Sequence, residues 1–398
     1  MAIKTLTLVI SAAALLSMQT PSEAVRIERN YSRNSGNMIL ENESTQTSTT
    51  SKENKIQVAL LLDTSNSMDG LIDQAKSRLW NIVNTLTTLK YNGKSPQIEI
   101  SLYEYGNDGI HDEHYIRQVT PLTQDLDLVS EKLFALRTNG GSEYCGAVIR
   151  DTSQNLNWDS NDKSMKLIYI AGNEPFDQGK ISYKEAISGA KGKKIYINTI
   201  FCGERNEGIQ TFWQNGATLG EGKYFNIDSD RKVISIETPY DIRISECNEK
   251  LNDTYIYYGN RGYEYKSKQV AQDKNAGIQS VSSAVERTVA KAKKNAYKNE
   301  HWDLVDKAEK DAGFISSVTE EELPAELKGK SREEIKKMIA IKSAEREKIQ
   351  KEIEELSKKR QDYIDKEMKK RGSQDSDDLG KAIERSVLEL AKRSGYNV

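Results

Sequence analysis

The sequence predicts an α/β protein: a doubly wound, mainly parallel sheet with helices on both faces, followed by a helical, partly coiled-coil region. Two observations carry this. Uninterrupted apolar runs that stop at polar loops, the mark of strands buried on both faces, alternate with amphipathic stretches as far as about position 230. Beyond that point helical spacing continues to the C-terminus without another strand pattern. The 398 residues suit two or three folded units at roughly 100 to 200 residues each. Apolar residues at 36%, charged residues at 30% and only 6 prolines fit long exposed helices and exclude collagen, porin and polytopic membrane classes. Lys and Arg number 58 against 60 Asp and Glu, a net charge of −2, so no overall basic field points to nucleic acid and any partner is recognised locally.

The elements follow in order. Met1, Lys4, an apolar run from Leu6 to Leu16 and the small-x-small site Ser22-Glu23-Ala24 read as a secretory signal peptide over 1–24, with cleavage after Ala24. The run is shorter than the roughly 20 residues that span a bilayer, so the reading is an exported chain, periplasmic or secreted, without a transmembrane segment. Residues 25–54, rich in Ser, Thr, Asn and Glu, read as a disordered polar linker. A folded domain then occupies 55–230. Ile56 to Asp63 is a buried strand, and Leu71, Ala75, Leu79, Ile82, Leu86 and Leu89 mark the helix after it. Gln97 to Tyr105 and His114 to Val119 read as strands, Leu126 to Leu136 as helix, and the loop TNGGSEYCG leads into another. Met165 to Gly172, Lys194 to Gly203 and Lys223 to Asp228 are further strands, separated by helices over Tyr183 to Ala190 and Ile209 to Gly216.

The helical region is 231–398. Thr238-Pro239-Tyr240-Asp241 has the composition of a helix start, and Thr319 with Glu322 and Ser331 with Glu334 are capping-box pairs. From Ser331 to Arg371 there is neither Pro nor Gly. Ile335, Ile339, Ile349, Ile353, Leu356 and Ile364 form a stripe broken by charges, which predicts a short antiparallel hairpin or coiled coil. The excess of Lys and Arg there, interspersed with acids at helical spacing, reads as a solvated face. Leu379, Ile383, Val387 and Leu390 mark a last helix that ends near Gly395.

The chemistry concentrates at the carboxyl end of the first strand. Asp63-Thr64-Ser65-Asn66-Ser67 places one carboxylate and two hydroxyls where doubly wound sheets bind ligands, and hard oxygen donors without His or Cys suit Mg²⁺, Mn²⁺ or Ca²⁺. Here the sequence resembles the von Willebrand factor type A (VWA) domain family, whose Rossmann-like sheet carries a metal-ion-dependent adhesion site that begins with this D-x-S-x-S. The segment TPLTQDLDLVSEKLFALRTNGG and the closing GATLGEGKYFNID extend the resemblance over about 55–228. It implies a Mg²⁺, Mn²⁺ or Ca²⁺ site at Asp63, Ser65 and Ser67, completed by an acidic residue of a protein partner. The chain departs from that pattern twice. The family's Thr loop reads Gly140-Gly141-Ser142-Glu143-Tyr144-Cys145-Gly146, so Ser142 or Glu143 stands in, and Gly172 in Ala171-Gly172-Asn173 occupies the place of the family's Asp.

Other groups are weaker. His111-Asp112-Glu113-His114 reads as a solvated turn rather than a metal cluster, and His301 beside Trp302 as a packing residue. With three Cys and an export signal, a Cys145–Cys202 disulfide is the expected pair and Cys247 the odd thiol. No nucleophile elbow and no phosphate loop occurs. The expected function is therefore a non-enzymatic, metal-assisted protein-binding module. An envelope scaffold with a dead metal site, and less so a metal-dependent hydrolase or its subunit, are the rival readings.

Overall fold

The computed structural model describes residues 54–233, 235–371 and 378–398; the signal segment and all but the last residue of the polar linker lie outside them. The strands are β1 (Lys55–Asp63), β2 (Gln97–Tyr105), β3 (Ile116–Thr123), β4 (Met165–Gly172), β5 (Ile195–Cys202) and β6 (Glu221–Ile227). They form one six-stranded sheet in the order β3-β2-β1-β4-β5-β6. Only β3 runs antiparallel, so the fold is the doubly wound α/β arrangement read from the sequence. Between the strands lie α1 (Asp69–Thr88), α2 (Leu126–Ala135), α3 (Cys145–Asn155), α4 (Tyr183–Gly192), α5 (Arg205–Gln210) and α6 (Trp213–Leu219). The single helix expected over Ile209 to Gly216 is instead two short ones. They break at Phe212, whose left-handed backbone (φ 70°) cannot continue a right-handed helix.

Alternation along the strands sends side chains to two cores. On one face Ile56, Val58, Leu60 and Leu62 of β1 pack under α1 and α2; on the other Ala59 and Leu61 meet α3, α4 and Trp213. This parity corrects the disulfide expectation. Cys145 belongs to the second core and Cys202 to the first, so the sheet itself lies between them, and Cys145, Cys202 and Cys247 are all free and buried.

The helices after the sheet are α7 (Asp241–Asn252), α8 (Gly262–Gln279), α9 (Val281–Lys291), α10 (Leu304–Lys310), α11 (Phe314–Ser317), α12 (Arg332–Arg371) and α13 (Leu379–Arg393). Asp241 caps the start of α7 by accepting from Thr238 N–H and Oγ1, both at 2.8 Å. The Ser331–Glu334 capping box closes as read, at 2.8 Å from Ser331 N–H to Glu334. No hairpin forms over 331–371: α12 is one helix of 40 residues, about 60 Å long, because nothing in it stops a helix. Its contacts run along several short helices in turn, and its buried positions include Arg346 and Arg360 beside Ile335, Ile339 and Ile353. That is a strap across a helical layer rather than a zipper.

The core does not divide where the strands end. Leu379, Ala382, Ile383, Val387 and Leu390 of α13 belong to the same core as β1 and α1, as do Cys247 and Leu251 of α7. Ser386 Oγ donates to Asn198 of β5 at 2.6 Å, and Tyr396 Oη donates to the Lys163 carbonyl at 2.9 Å. The domain read over 55–230 therefore shares its core with α13, which packs on α1 and against β5 and β6. Ile256, Leu304, Ile315, Leu327 and Ile335 make a separate small core within the helical region.

Candidate functional site

The site lies where β1 and β2 end side by side, Asp63 opposite Tyr105 in the parallel register. Asp63 is fully buried. Its Oδ1 accepts the Ser65 N–H at 2.7 Å, the local turn that a carboxylate at the start of D-x-S-x-S makes, while its Oδ2 is buried without a hydrogen-bond partner. Ser65 Oγ and Ser67 Oγ are 3.4 Å apart; Ser65 is buried and Ser67 exposed.

Glu143 turns inward and is 3% exposed. Its carboxylate charge acts on Asp63 and helps to raise it. Its own N–H donates to Gln178 Oε1 at 2.7 Å, and its Oε2 accepts from Glu174 N–H at 3.4 Å, so the residue is held at both ends. Ser142 is only half-buried, and no hydrogen bond ties its hydroxyl to the pair. Of the two substitutes that the loop offered, the structure brings Glu143 into the site.

Two glycines make room. A Cβ at Gly106, where φ is +78°, would lie 2.7 Å from Glu143 Cγ and 2.9 Å from Asp63 Oδ1. A Cβ at Gly172 would lie 2.5 Å from Tyr105 Oη and 3.1 Å from Asp63 Oδ2. The Tyr105 hydroxyl, donating to the Ala171 carbonyl at 3.0 Å, thus fills the space into which an acid at position 172 would project. The carboxylate missing from one loop is supplied from another. Asn173, next along that loop, donates from Nδ2 to Ser67 Oγ at 3.3 Å.

The electrostatics agree with a site short of positive charge. Burial first, then the negative charge of the neighbouring Glu143, raise Asp63 well above the usual carboxylate range. Burial also raises Glu143, with the charge of Glu174 adding to it. Among the described residues no Lys or Arg forms an ion pair with either acid, and no cluster of three or more His, Cys, Asp or Glu converges anywhere. A hard divalent cation fits this donor set: two carboxylates, one with an orphaned oxygen, and two hydroxyls.

Tyr105, Gly106, Asn173 and Gln178 are site residues that sequence reasoning missed. The Tyr-Gly pair closing β2 beside β1 was the available signal, since glycine at the end of an inner strand marks close approach. In the His111 to His114 turn His111 is exposed, His114 Nε2 lies 3.2 Å from Glu113, and the His114 ring stands edge-on to Tyr144 at 6.3 Å. His301 stands edge-on against Tyr265 at 4.8 Å.

With this geometry in place, the family model for the von Willebrand factor type A domain matches residues 57–237. The chain carries a VWA domain. No curated protein matches it. Among solved structures, the conserved hypothetical protein BatB from Bacteroides thetaiotaomicron is similar at 16% identity and a TM-score of 0.34, over 44% of this chain and 90% of that one. Proximal thread matrix protein 1 from the mussel byssus, solved with a zinc-occupied MIDAS motif, is similar at 13% identity and 0.34, over 45% of this chain and 43% of that one. The pilus adhesin SpaC from Lactobacillus rhamnosus GG is similar at 14% identity and 0.33, over 44% of this chain and 28% of that one. The VWA match stops at residue 237, just before α7, although α7 and α13 share the domain's core.

Proposed function

We propose that this is an exported, non-enzymatic binding protein whose VWA domain recognises a protein partner with the help of a divalent cation, Mg²⁺, Mn²⁺ or Ca²⁺. One observation carries the reading: the buried Asp63 Oδ2 has no donor, and the acid nearest to it, Glu143, has no cation of its own. Two buried carboxylates in contact without a counter-charge are unfavourable unless protonated or bridged by a metal. Asp63, Ser65, Ser67 and Glu143 would hold the ion. When bound, the cation supplies a Lewis-acidic centre at the rim to which a partner's oxygen can attach. Asp63 sets the site's charge, Ser65 and Ser67 supply neutral donors, and Asn173 orients Ser67. Export rests on the N-terminal signal pattern, and among the described residues no helix is long and apolar enough to cross a membrane.

Calorimetry with Mg²⁺, Mn²⁺ and Ca²⁺ tests this on the whole chain. Wild type is expected to bind at least one of them, Asp63→Ala to lose binding, and Ser65→Ala to weaken it less, because a neutral donor contributes less than a carboxylate to a hard cation. Absence of binding at millimolar concentration rejects the reading and leaves the scaffold alternative, which Gly172 at the acid position favours.

A further inference from the structure

We propose that Lys291 of α9 and Asn252 of α7 become joined by an isopeptide bond in the folded chain, with loss of ammonia and with Asp273 of α8 carrying the proton between them. The three residues belong to the helical layer, and the bond does not depend on a cation at the rim.

The Lys291 side chain is fully buried, a rare place for an ammonium group. Its Nζ is held by Asn252 Oδ1 at 2.6 Å, by Asn248 Oδ1 at 2.9 Å and by the Asp273 carboxylate at 2.9 and 3.0 Å. Asp273 Oδ2 in turn accepts from Asn252 Nδ2 at 2.7 Å and from Asn248 Nδ2 at 3.0 Å. Amine, amide and carboxylate thus close one ring. With a C=O bond of about 1.23 Å, the contact to Oδ1 places Asn252 Cγ no more than about 3.8 Å from Nζ, close to the roughly 3–3.5 Å of atoms poised to react. Asn252 is nearer than Asn248 both to the amine and to the acid, which makes it the acceptor.

Burial brings the Lys291 ammonium down from its ordinary 10.5 to about 8, with Asp273 opposing and Arg287 adding, so a share of the amine is neutral. In that form Nζ attacks Cγ. The Nζ–Cγ bond forms, Asp273 Oδ2 takes one Nζ proton and passes it to Nδ2, and the Cγ–Nδ2 bond breaks to release ammonia. A primary amine and a primary amide become a secondary amide, and no oxidant or other reactant enters. Arg287 Nε, 2.6 Å from Asp273 Oδ1, keeps the carboxylate charged before and after, so the proton passes through it without remaining there. Cys145, Cys202 and Cys247 are all free, and a bond between α7 and α9 would restrain the unfolded chain as a disulfide does.

Mass spectrometry of the full chain, purified folded and then digested with trypsin, tests this. The peptides Leu251–Arg261 and Thr288–Lys293 are expected as one linked species, about 17 Da lighter than the two together for the ammonia lost, with no cleavage after Lys291. Recovery of Leu251–Arg261 with Asn252 intact and of Thr288–Lys291 as separate peptides overturns the proposal, as does a link that maps to Asn248. Lys291→Arg should give the separate peptides. Asp273→Asn keeps the shape and should yield at least about tenfold less linked species; a yield equal to wild type removes Asp273 as the proton carrier. The wild-type digest decides whether the bond exists even if a variant misfolds.

Discussion

Two groups of buried acids lie in this molecule, and they are treated in opposite ways. In the helical layer Asp273 of α8 accepts from Arg287 Nε at 2.6 Å and from Lys291 Nζ at 2.9 Å, while Arg287 Nη1 also reaches Asp127 of α2 at 2.7 Å. Lys291 further donates to Asn248 and Asn252 of α7, and the Arg287 guanidinium lies over the Trp80 ring at 4.6 Å. Burial alone would raise Asp273, but the charges of Lys291 and Arg287 bring it well below the usual range. At the rim Asp63 and Glu143 are buried more deeply than Asp273, have no such cations, and are both raised. Acids that carry their own counter-charges join elements together, here α2, α7, α8 and α9. Acids left without them keep an imbalance that the proposed cation would relieve.

The contrast is sharpest if the helical layer is removed. Ending the chain at 230 takes away α13 and with it six residues of the main core, Leu379, Ala382, Ile383, Val387, Leu390 and Ala391. At about 1.5–3 kcal/mol for each large aliphatic side chain, this approaches the whole stability of a domain, about 5–15 kcal/mol. The fragment is expected to lose its near-UV dichroism and its cooperative urea transition; a fragment as cooperative as the whole chain would separate the two regions after all. Next in size, Arg287→Met strips the counter-charge from Asp127 and Asp273 and should cost about 3–5 kcal/mol in urea unfolding. A cost below about 1 kcal/mol would mean that these acids do not depend on it.

The rim should respond with the other sign. In chelator, Asp63→Asn is expected to stabilise the protein by about 1 kcal/mol, since it removes a repelled charge and keeps the shape, whereas with Mg²⁺ present the wild type gains stability and the variant does not. Thermal melts of both proteins in both conditions check this, and equal melting temperatures throughout would remove the distinction between the regions. The smallest effect is in pH. A raised folded value means that the fold retains protons which the unfolded chain, with ordinary values of 3.8 for Asp63 and 4.5 for Glu143, has already released. The rim's contribution is therefore present in acid and lost as pH rises through the folded range, and Mg²⁺ should cancel that loss. Asp273 behaves conversely, contributing above its ordinary 3.8 and losing the contribution as pH falls below it. Urea midpoints against pH, for wild type, Asp63→Asn and Asp273→Asn, separate the two slopes.

The signals legible along the chain were local ones. Apolar runs such as Ile56 to Asp63 and Met165 to Gly172 could only be inner strands of a parallel sheet, the alternation of strands with helices dictated its double winding, and D-x-S-x-S at a strand end located the rim. Tertiary structure alone decided the rest, because each remaining feature depends on elements far apart in sequence. Glu143 turns inward because Gln178 and Glu174 hold it and Gly106 admits it; Cys145 and Cys202 fall on opposite faces of one sheet; and an acid at 172 is displaced by the hydroxyl of Tyr105 on a strand two positions away in the sheet. The charged residues of the helices looked like a solvated face in sequence, since periodicity reports which positions share a side but not what that side meets. Arg346 and Arg360 are buried because Asp303 and Asp241, more than forty and more than a hundred positions away, are folded against them at 2.7 and 3.0 Å. Charge pairing across such distances costs nothing to state in sequence and leaves no period there, so only the packed chain reveals which acids were given partners and which were left to find one.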